Sequence, residues 1–285
     1  MIIARVATKA TWALLLAGTV SSSLFAQQSA RAIYYSVPSW APDGRTIAFE
    51  SNRDGEAAVY TIRPDGSGLR RLTPGGTLGE QPNWSTDGRF LVYTLIRDSV
   101  RQLHRMTPDG RDVETLPGTT NGFLAAYSPD GRWLLFAAQD RVPSNQYRVV
   151  VMRPDGSDRR SLGDVTKSNE DPRWTLDGAR VVFTEAPLLE IRPNEAPRDA
   201  IRRRTQAQRL VSVTPDGRET RILDPEEAIR LTRDRGLSPD GQWLVHTKSI
   251  EGVNGLYLRE QSSGTERMLD RGTRQPSHSD TSRDE

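Results

Sequence analysis

The sequence predicts an all-β fold: a β-propeller of four-stranded antiparallel blades, five of them recognisable and a partial sixth repeat at the C-terminus. Three observations carry this expectation. The tripeptide Pro-Asp-Gly occurs seven times, with its Asp at 43, 65, 109, 130, 155, 216 and 240. Apolar residues alternate with a period of two after these turns, which gives each strand one buried face. Equivalent turns recur at intervals of 44, 43, 47 and 63 residues, and four strands per roughly 40–50 residues is the spacing of propeller blades.

The turns fall into two alternating sets. The first follows an aromatic: Trp40-Ala41-Pro42-Asp43-Gly44, Trp84-Ser85-Thr86-Asp87-Gly88, Tyr127-Ser128-Pro129-Asp130-Gly131 and Trp174-Thr175-Leu176-Asp177-Gly178, with Leu237 taking the aromatic place before Asp240-Gly241. Four residues past each Asp stand Ile47, Leu91, Leu134, Val181 and Leu244; six past it stand Phe49, Tyr93, Phe136, Phe183 and His246. The second set follows another strand, at Val59–Ile62, Leu103–Met106, Val149–Met152 and Leu210–Val213, and leads to a short strand ending in Leu72, Leu116, Leu162 or Leu223. Gly255–Leu258 is the corresponding strand of the fifth repeat. Pro presets φ, Asp caps its own backbone and Gly accepts a positive φ, so each tripeptide is a turn between antiparallel strands. A single four-stranded sheet cannot bury both faces, and neighbours around an axis bury them for each other.

Composition bounds the rest. The 285 residues are 35% hydrophobic and 27% charged, ordinary for a globular chain. Cysteine is absent, which excludes disulfides, thiolate metal sites and a Cys nucleophile. Arg5, Lys9, an apolar run around Trp12–Ala17 and small residues up to Ala26 read as an export signal cleaved after Ala26. This divides the chain into a signal peptide at 1–26, a propeller domain at 27–279 and a disordered tail at 280–285, and places the mature protein in the periplasm or outside the cell. Without the signal, 37 basic and 37 acidic residues remain. General attraction to nucleic acid or to anionic membrane is therefore not expected, and no later run is long enough for a membrane span.

The repeat Pro-x-Trp-Ser-Pro-Asp-Gly, a strand and a second Asp-Gly turn resembles the WD-like repeat of the TolB β-propeller family, over about residues 33–280. The resemblance implies an exported adaptor of the cell envelope that contacts a peptidoglycan-associated lipoprotein. The sequence departs from that pattern. Such propellers usually have six blades, whereas here Gln275–Ser279 only begins a sixth, with His278 in the Trp position. TolB itself has an additional N-terminal α/β domain, for which no stretch is seen. Family members often carry an Asp three residues before the first-strand Pro, where this chain has Tyr35, Gly79 and Asn169. The fourth repeat is expanded at 187–207, where Pro197 opens a short helix carrying Arg198, Arg202, Arg203 and Arg204; the cluster reads either as a docking loop for an acidic partner or as a solvated insertion. A second short helix is expected at Pro225–Leu231. The ring closes with five blades or stays open, in which case its unclosed edges would recruit another chain.

Chemistry-bearing motifs are missing. His104, His246 and His278 each occupy a place that other repeats fill with an apolar or aromatic residue, so they read as core or edge imidazoles. Neither a metal nor a cofactor is expected, and no catalytic residue is assigned: the sequence has no His-Glu-x-x-His, no Gly-x-Ser-x-Gly elbow and no phosphate loop. The recurring Trp residues read as packing groups between blades. The expectation is a non-enzymatic module that binds a protein or a peptidoglycan-associated ligand at one mouth of its axial channel, through Glu80, Gln81, Asn121, Asn169, Glu170, Arg233 and Asp234. Two alternatives are a propeller enzyme acting on a glycan or lactone through a channel-bound divalent ion, and a fragment of a longer sensor or peptidase.

Overall fold

A computed structural model describes residues 33–139, 146–232, 234–250 and 253–271. The expected signal peptide, the tail, the start of a sixth repeat with His278, and Arg233 lie outside the described residues. Within them the chain forms five antiparallel sheets, one per repeat. Blade 1 contains β1 (Tyr35–Trp40), β2 (Ile47–Ser51), β3 (Ala58–Ile62) and β4 (Arg70–Arg71). Blade 2 contains β5 (Leu78–Trp84), β6 (Leu91–Arg97), β7 (Val100–Met106) and β8 (Glu114–Thr115). Blade 3 follows with β9 (Gly122–Tyr127), β10 (Leu134–Gln139), β11 (Tyr147–Met152) and β12 (Arg160–Leu162). Blade 4 has β13 (Ser168–Trp174), β14 (Val181–Ala186), β15 (Arg209–Val213) and β16 (Thr220–Leu223), with helix α1 (Pro197–Gln206) inserted between β14 and β15. Helix α2 (Pro225–Leu231) leads to blade 5, with β17 (Trp243–Ile250), β18 (Val253–Glu260) and β19 (Glu266–Arg271).

The turns are more fully bonded than the tripeptide alone implies. In the first-set turn of blade 3, Gly131 donates its N–H to Ser128 O at 2.8 Å with φ at +71°, and the Ser128 hydroxyl donates to Asp130 Oδ1 at 2.5 Å. Asp130 Oδ1 also accepts the Arg132 N–H at 3.0 Å. The hydroxyl, these backbone donors and Arg132 hold the Asp130 carboxyl down at about 2. Ser85, Thr107, Thr175, Thr214 and Ser238 make the same bond to the Asp two residues on. Where a Ser or Thr precedes the turn it is thus part of it, satisfying groups that would otherwise compete for the ladder; Ala41, Arg63 and Arg153 take that place in the other three.

Period-two alternation becomes alternation between neighbours. On β6, Leu91 and Tyr93 pack with Ala48, Val59 and Leu72 of blade 1, while Val92 packs with Leu134, Phe136 and Val150 of blade 3. Leu135, Val149 and Val151 of blade 3 meet Val181, Phe183 and Val211 of blade 4. Blade 4 turns its other face, Val182, Leu210 and Leu223, against Ala228 and Leu231 of α2. Phe49, Tyr60 and Ile62 of blade 1 pack with Val245, Leu256 and Leu258 of blade 5. The first and last blades therefore join. Tyr35 donates its hydroxyl to Asp270 Oδ2 at 2.5 Å, Arg53 pairs with the same carboxylate, and Trp40 Nε1 donates to Gly236 O at 2.8 Å. The expected alternative of an open ring gives way to closure between blades 1 and 5. Ile33, at the start of the described chain, leans on blade 5 by accepting Asn254 Nδ2 at 2.8 Å.

The fifth blade corrects the expectation of four strands. Its sheet has three, and the innermost strand is reduced to a bridge between Leu237 and Leu244. Asp234 accepts the Gly236 N–H on its side chain at 2.8 Å and the Leu237 N–H on its carbonyl at 3.1 Å, so a local turn takes the donors a ladder would use. Gly236 approaches so closely that a Cβ there would stand 2.1 Å from Val245 O.

Candidate functional site

Strand connectivity sorts the loops by face. The Pro-Asp-Gly turns lie at one end of the barrel axis, where their polar side chains bond their own backbone. The opposite end, the mouth, carries the loops between second and third strands and those leading into each innermost strand.

Each innermost strand is bulged as it leaves the mouth. Register breaks fall at 36/39 in β1, 80/83 in β5 and 170/173 in β13, with a matching break where β9 pairs with β10. At each break one residue takes a positive φ: Val37 (46°), Gln81 (56°), Leu124 (55°) and Asp171 (51°). Such a conformation is rare for a β-branched residue, and bulges of this kind re-aim a side chain toward a site.

The bulges are stitched across blades. The Gln81 N–H of blade 2 donates to Glu50 Oε2 of blade 1 at 3.1 Å, and the Leu124 N–H of blade 3 donates to Gln81 Oε1 at 2.9 Å. Thr94 adds a hydroxyl donor to the same Gln81 oxygen at 3.3 Å. Glu50 is only 6% exposed, and its second oxygen accepts the Tyr34 hydroxyl at 2.8 Å. Burial and the neighbouring Glu80 carboxylate push Glu50 up to about 7, against the pull of its hydrogen bonds. Burial raises Glu80 as well, opposed by Arg101. Burial and then the Glu50 charge raise the Tyr34 phenol. Two carboxyl groups on adjacent blades thus compete for one negative charge.

On the far side of the mouth, Glu170 accepts the Ser168 hydroxyl at 2.7 Å and pairs with Arg204 of α1, whose Nε donates to Pro187 O at 2.9 Å. Tyr147 stands between the two sides. Its ring meets Phe123 edge-on at 5.6 Å, and Arg101 lies over the Phe123 face at 5.9 Å. Burial and the Glu170 charge raise the Tyr147 phenol, while Arg101 and Arg204 oppose them.

The expected site residues divide. Glu80 and Gln81 lie at the mouth on blade 2, and Glu170 lies across it on blade 4. Asn121 sits there in a positive-φ turn (60°), its N–H on Arg101 O at 2.7 Å. Asn169 is 1% exposed, and its amide donates into its own loop at Asp164 O, 3.0 Å away. Asp234 lines a cavity at the opposite end of the axis. Of the α1 arginines, Arg202 pairs with Asp199 at 3.1 Å and Arg203 with Glu195 at 3.0 Å. Arg203 holds the Glu195 carboxyl down at about 2. Arg198 is exposed. Most of this cluster is spent within the insertion, which folds back on the mouth through Arg204. Sequence reasoning passed over Tyr34, Glu50, Arg101 and Tyr147. One signal could have exposed Glu50: its repeat equivalents are Thr94, Ala137, Thr184 and Thr247, so a lone carboxylate stands where other blades keep small residues.

The indoles hold blades together, as their repeat position suggests: Trp174 Nε1 donates to Ala126 O of blade 3 at 3.2 Å, matching the bond from Trp40. His104 lies against Tyr93, and His246 against Tyr257 with Nε2 3.1 Å from Glu266. Among the described residues no group of three or more His, Cys, Asp or Glu could hold a metal ion. No helix there is long and apolar enough to cross a membrane.

These features define a five-bladed β-propeller whose first and last blades join, with a polar mouth built on bulged inner strands. The chain belongs to the TolB beta propeller domain family, whose profile (PD40) matches residues 18–190. It is 49% identical over 35 residues to the Tol-Pal system protein TolB of Syntrophus aciditrophicus, covering 12% of this chain and 8% of that protein. It is 31% identical over 138 residues to dipeptidyl-peptidase 5 of Porphyromonas endodontalis, covering 45% of this chain and 16% of the peptidase. The match thus spans a small part of either relative. The fold is similar to that of the TolB crystal structure from Acinetobacter baumannii, with a TM-score of 0.52, 17% identity, and coverage of 82% of this chain and 53% of that one.

Proposed function

We propose that this propeller is a non-enzymatic binding module of the cell envelope, working in the periplasm and taking a protein or peptidoglycan-associated ligand at its mouth. The observation that carries the reading is the asymmetry between the two faces. On the turn face, the turn Asp carboxylates are taken up locally, by backbone N–H groups and by the Ser or Thr two residues before. Mouth groups from blades 1 to 4 and from α1 are linked across blades, which gives a rigid rim of pre-aimed polar groups. Membership of the TolB family supports a protein partner. A pull-down from envelope extract tests it: the wild-type chain should retain a partner that Glu80→Ala with Gln81→Ala loses. Equal retention by both, or by neither, counts against the mouth as the binding face.

The partial match to a dipeptidyl-peptidase favours a second reading, in which the propeller serves a peptidase by screening access to a hydrolase active site. The sequence has no Gly-x-Ser-x-Gly elbow of its own, so the purified chain should not hydrolyse dipeptidyl substrates. Hydrolysis restored by a hydrolase domain supplied in trans would favour this second reading over the first.

A further inference from the structure

At the turn end of the axis, all five repeats contribute to one cavity of about 420 Å³. Trp40, Trp84, Tyr127 and Trp174 wall it, and Arg173 and Arg235 add guanidinium groups. The volume suits a small organic ligand, for which an apolar wall with a few convergent polar groups is the usual construction.

Trp84 and Arg235 each bring to this wall a buried donor without a hydrogen-bond partner. Trp84 is 7% exposed and its Nε1 is unbonded, whereas Trp40 and Trp174 both spend theirs on carbonyls of a neighbouring blade. Arg235 spends Nη2 on Pro172 O at 3.3 Å, but its Nη1 is buried without an acceptor. The carboxylates at hand are committed: Asp171 accepts Arg173 at 3.2 Å, and Asp234 accepts the Gly236 N–H. Burial and the like charge of Arg173 bring Arg235 down to about 10, so it stays cationic at neutral pH. A desolvated guanidinium edge and an uncommitted indole N–H leave hydrogen bonds unmade at a cost that an anion would offset.

We infer that this cavity is a binding site for a small organic carboxylate, its carboxylate taken by Arg235 and the Trp84 N–H and its apolar body lying among Trp40, Tyr127 and Trp174. A monoanion suits the place better than a phosphate dianion, because Asp171 and Asp234 limit the negative charge the wall accepts. This site is separate from the mouth and does not depend on the function proposed for it.

The test titrates the full chain with 3-phenylpropionate, 3-phenylpropanamide and acetate, following tryptophan fluorescence and ligand-observed NMR. Saturable binding of 3-phenylpropionate is expected, with the amide and acetate each weaker by about tenfold or more, the loss of roughly one strong interaction. Trp84→Phe should weaken 3-phenylpropionate severalfold, Arg235→Gln should abolish its binding, and Glu80→Gln at the mouth should leave it unchanged. Equal binding of acid and amide would overturn the carboxylate seat, and absence of saturation with the acid would overturn the site. Unchanged affinity in a folded Arg235→Gln variant would do the same. If that variant does not fold, the acid–amide comparison and Trp84→Phe decide alone.

Discussion

Arg204, in the last turn of α1, is paired with Glu170 at the mouth end of β13. The two are 34 residues apart and both largely buried, so the pair fastens an insertion of the chain to the rim it overhangs. Little else holds α1 down, since Ala200 is its one buried residue. Arg204→Ala should therefore free the 187–207 segment without unfolding the ring. Hydrogen exchange across α1 should rise by about tenfold or more, for a local loss of roughly 1–2 kcal/mol, while the blade strands keep their protection. Unchanged exchange in α1 would show that the pair carries no weight.

Glu50 makes stability depend on pH in the direction opposite to an ordinary paired carboxylate. Its folded value, about 7, lies above the 4.5 of an ordinary glutamate. The folded state thus holds a proton that the unfolded chain releases. This contribution is complete below about pH 4.5 and is lost as pH rises through about 7. Thermal midpoints should fall between pH 5 and 8 by roughly 5 °C, for about 2 kcal/mol. Glu80→Gln removes the neighbouring charge, so the decline should move to higher remaining stability and lower pH, closer to the ordinary carboxylate range. A wild-type midpoint that climbs over this interval would refute the coupling.

The ring was legible in the sequence because its repeats are local. Turns at Asp43, Asp87, Asp130 and Asp177, and the alternation from Ile47 to Phe49 or Leu91 to Tyr93, placed strands and their buried faces directly. Both short helices were marked by Pro197 and Pro225 at their first turns. What resisted reading was non-local. The bulges depend on backbone conformation at Val37 and Gln81, which no composition signals, and the Glu50–Glu80 pairing spans two blades. The missing inner strand of blade 5 follows from Gly236 and the Asp234 turn, although Asp240-Gly241 there repeats the usual motif. Asn169 shares the mouth loops with Glu170 yet points into its blade, because neighbouring strand residues face opposite ways.

The three indoles that open first-set turns make a graded series. Trp40 and Trp174 donate to carbonyls across blades at 2.8 and 3.2 Å, while Trp84 donates to nothing. Phenylalanine keeps most of the apolar area and removes the donor. Trp40→Phe and Trp174→Phe should each cost about 1 kcal/mol, the loss of one hydrogen bond between blades, and Trp84→Phe should cost less because it removes an unpaired polar group. Urea unfolding of the three variants orders them. A Trp84→Phe loss as large as the other two would mean that its N–H is bonded in solution.

Asp270 is the keystone of the closure between blades 5 and 1. Its Oδ2 takes the Tyr35 hydroxyl and the Arg53 guanidinium, and both the arginine and the acid are largely shielded from water. Removing one member of a buried pair is far costlier than removing both, because the survivor is left charged and desolvated. Asp270→Ala should therefore destabilise the protein by about 3 kcal/mol, and the loss should resist added salt, since screening acts weakly on buried charges. Adding Arg53→Met to Asp270→Ala should restore part of that loss, because the stranded cation goes with it and an apolar side chain fills its place over the Tyr60 ring. Denaturant midpoints for the two single variants and the double variant give the coupling directly. Strict additivity, or a neutral Asp270→Ala, would mean that blades 1 and 5 are not held together here, and that the ring stands on its apolar seam alone.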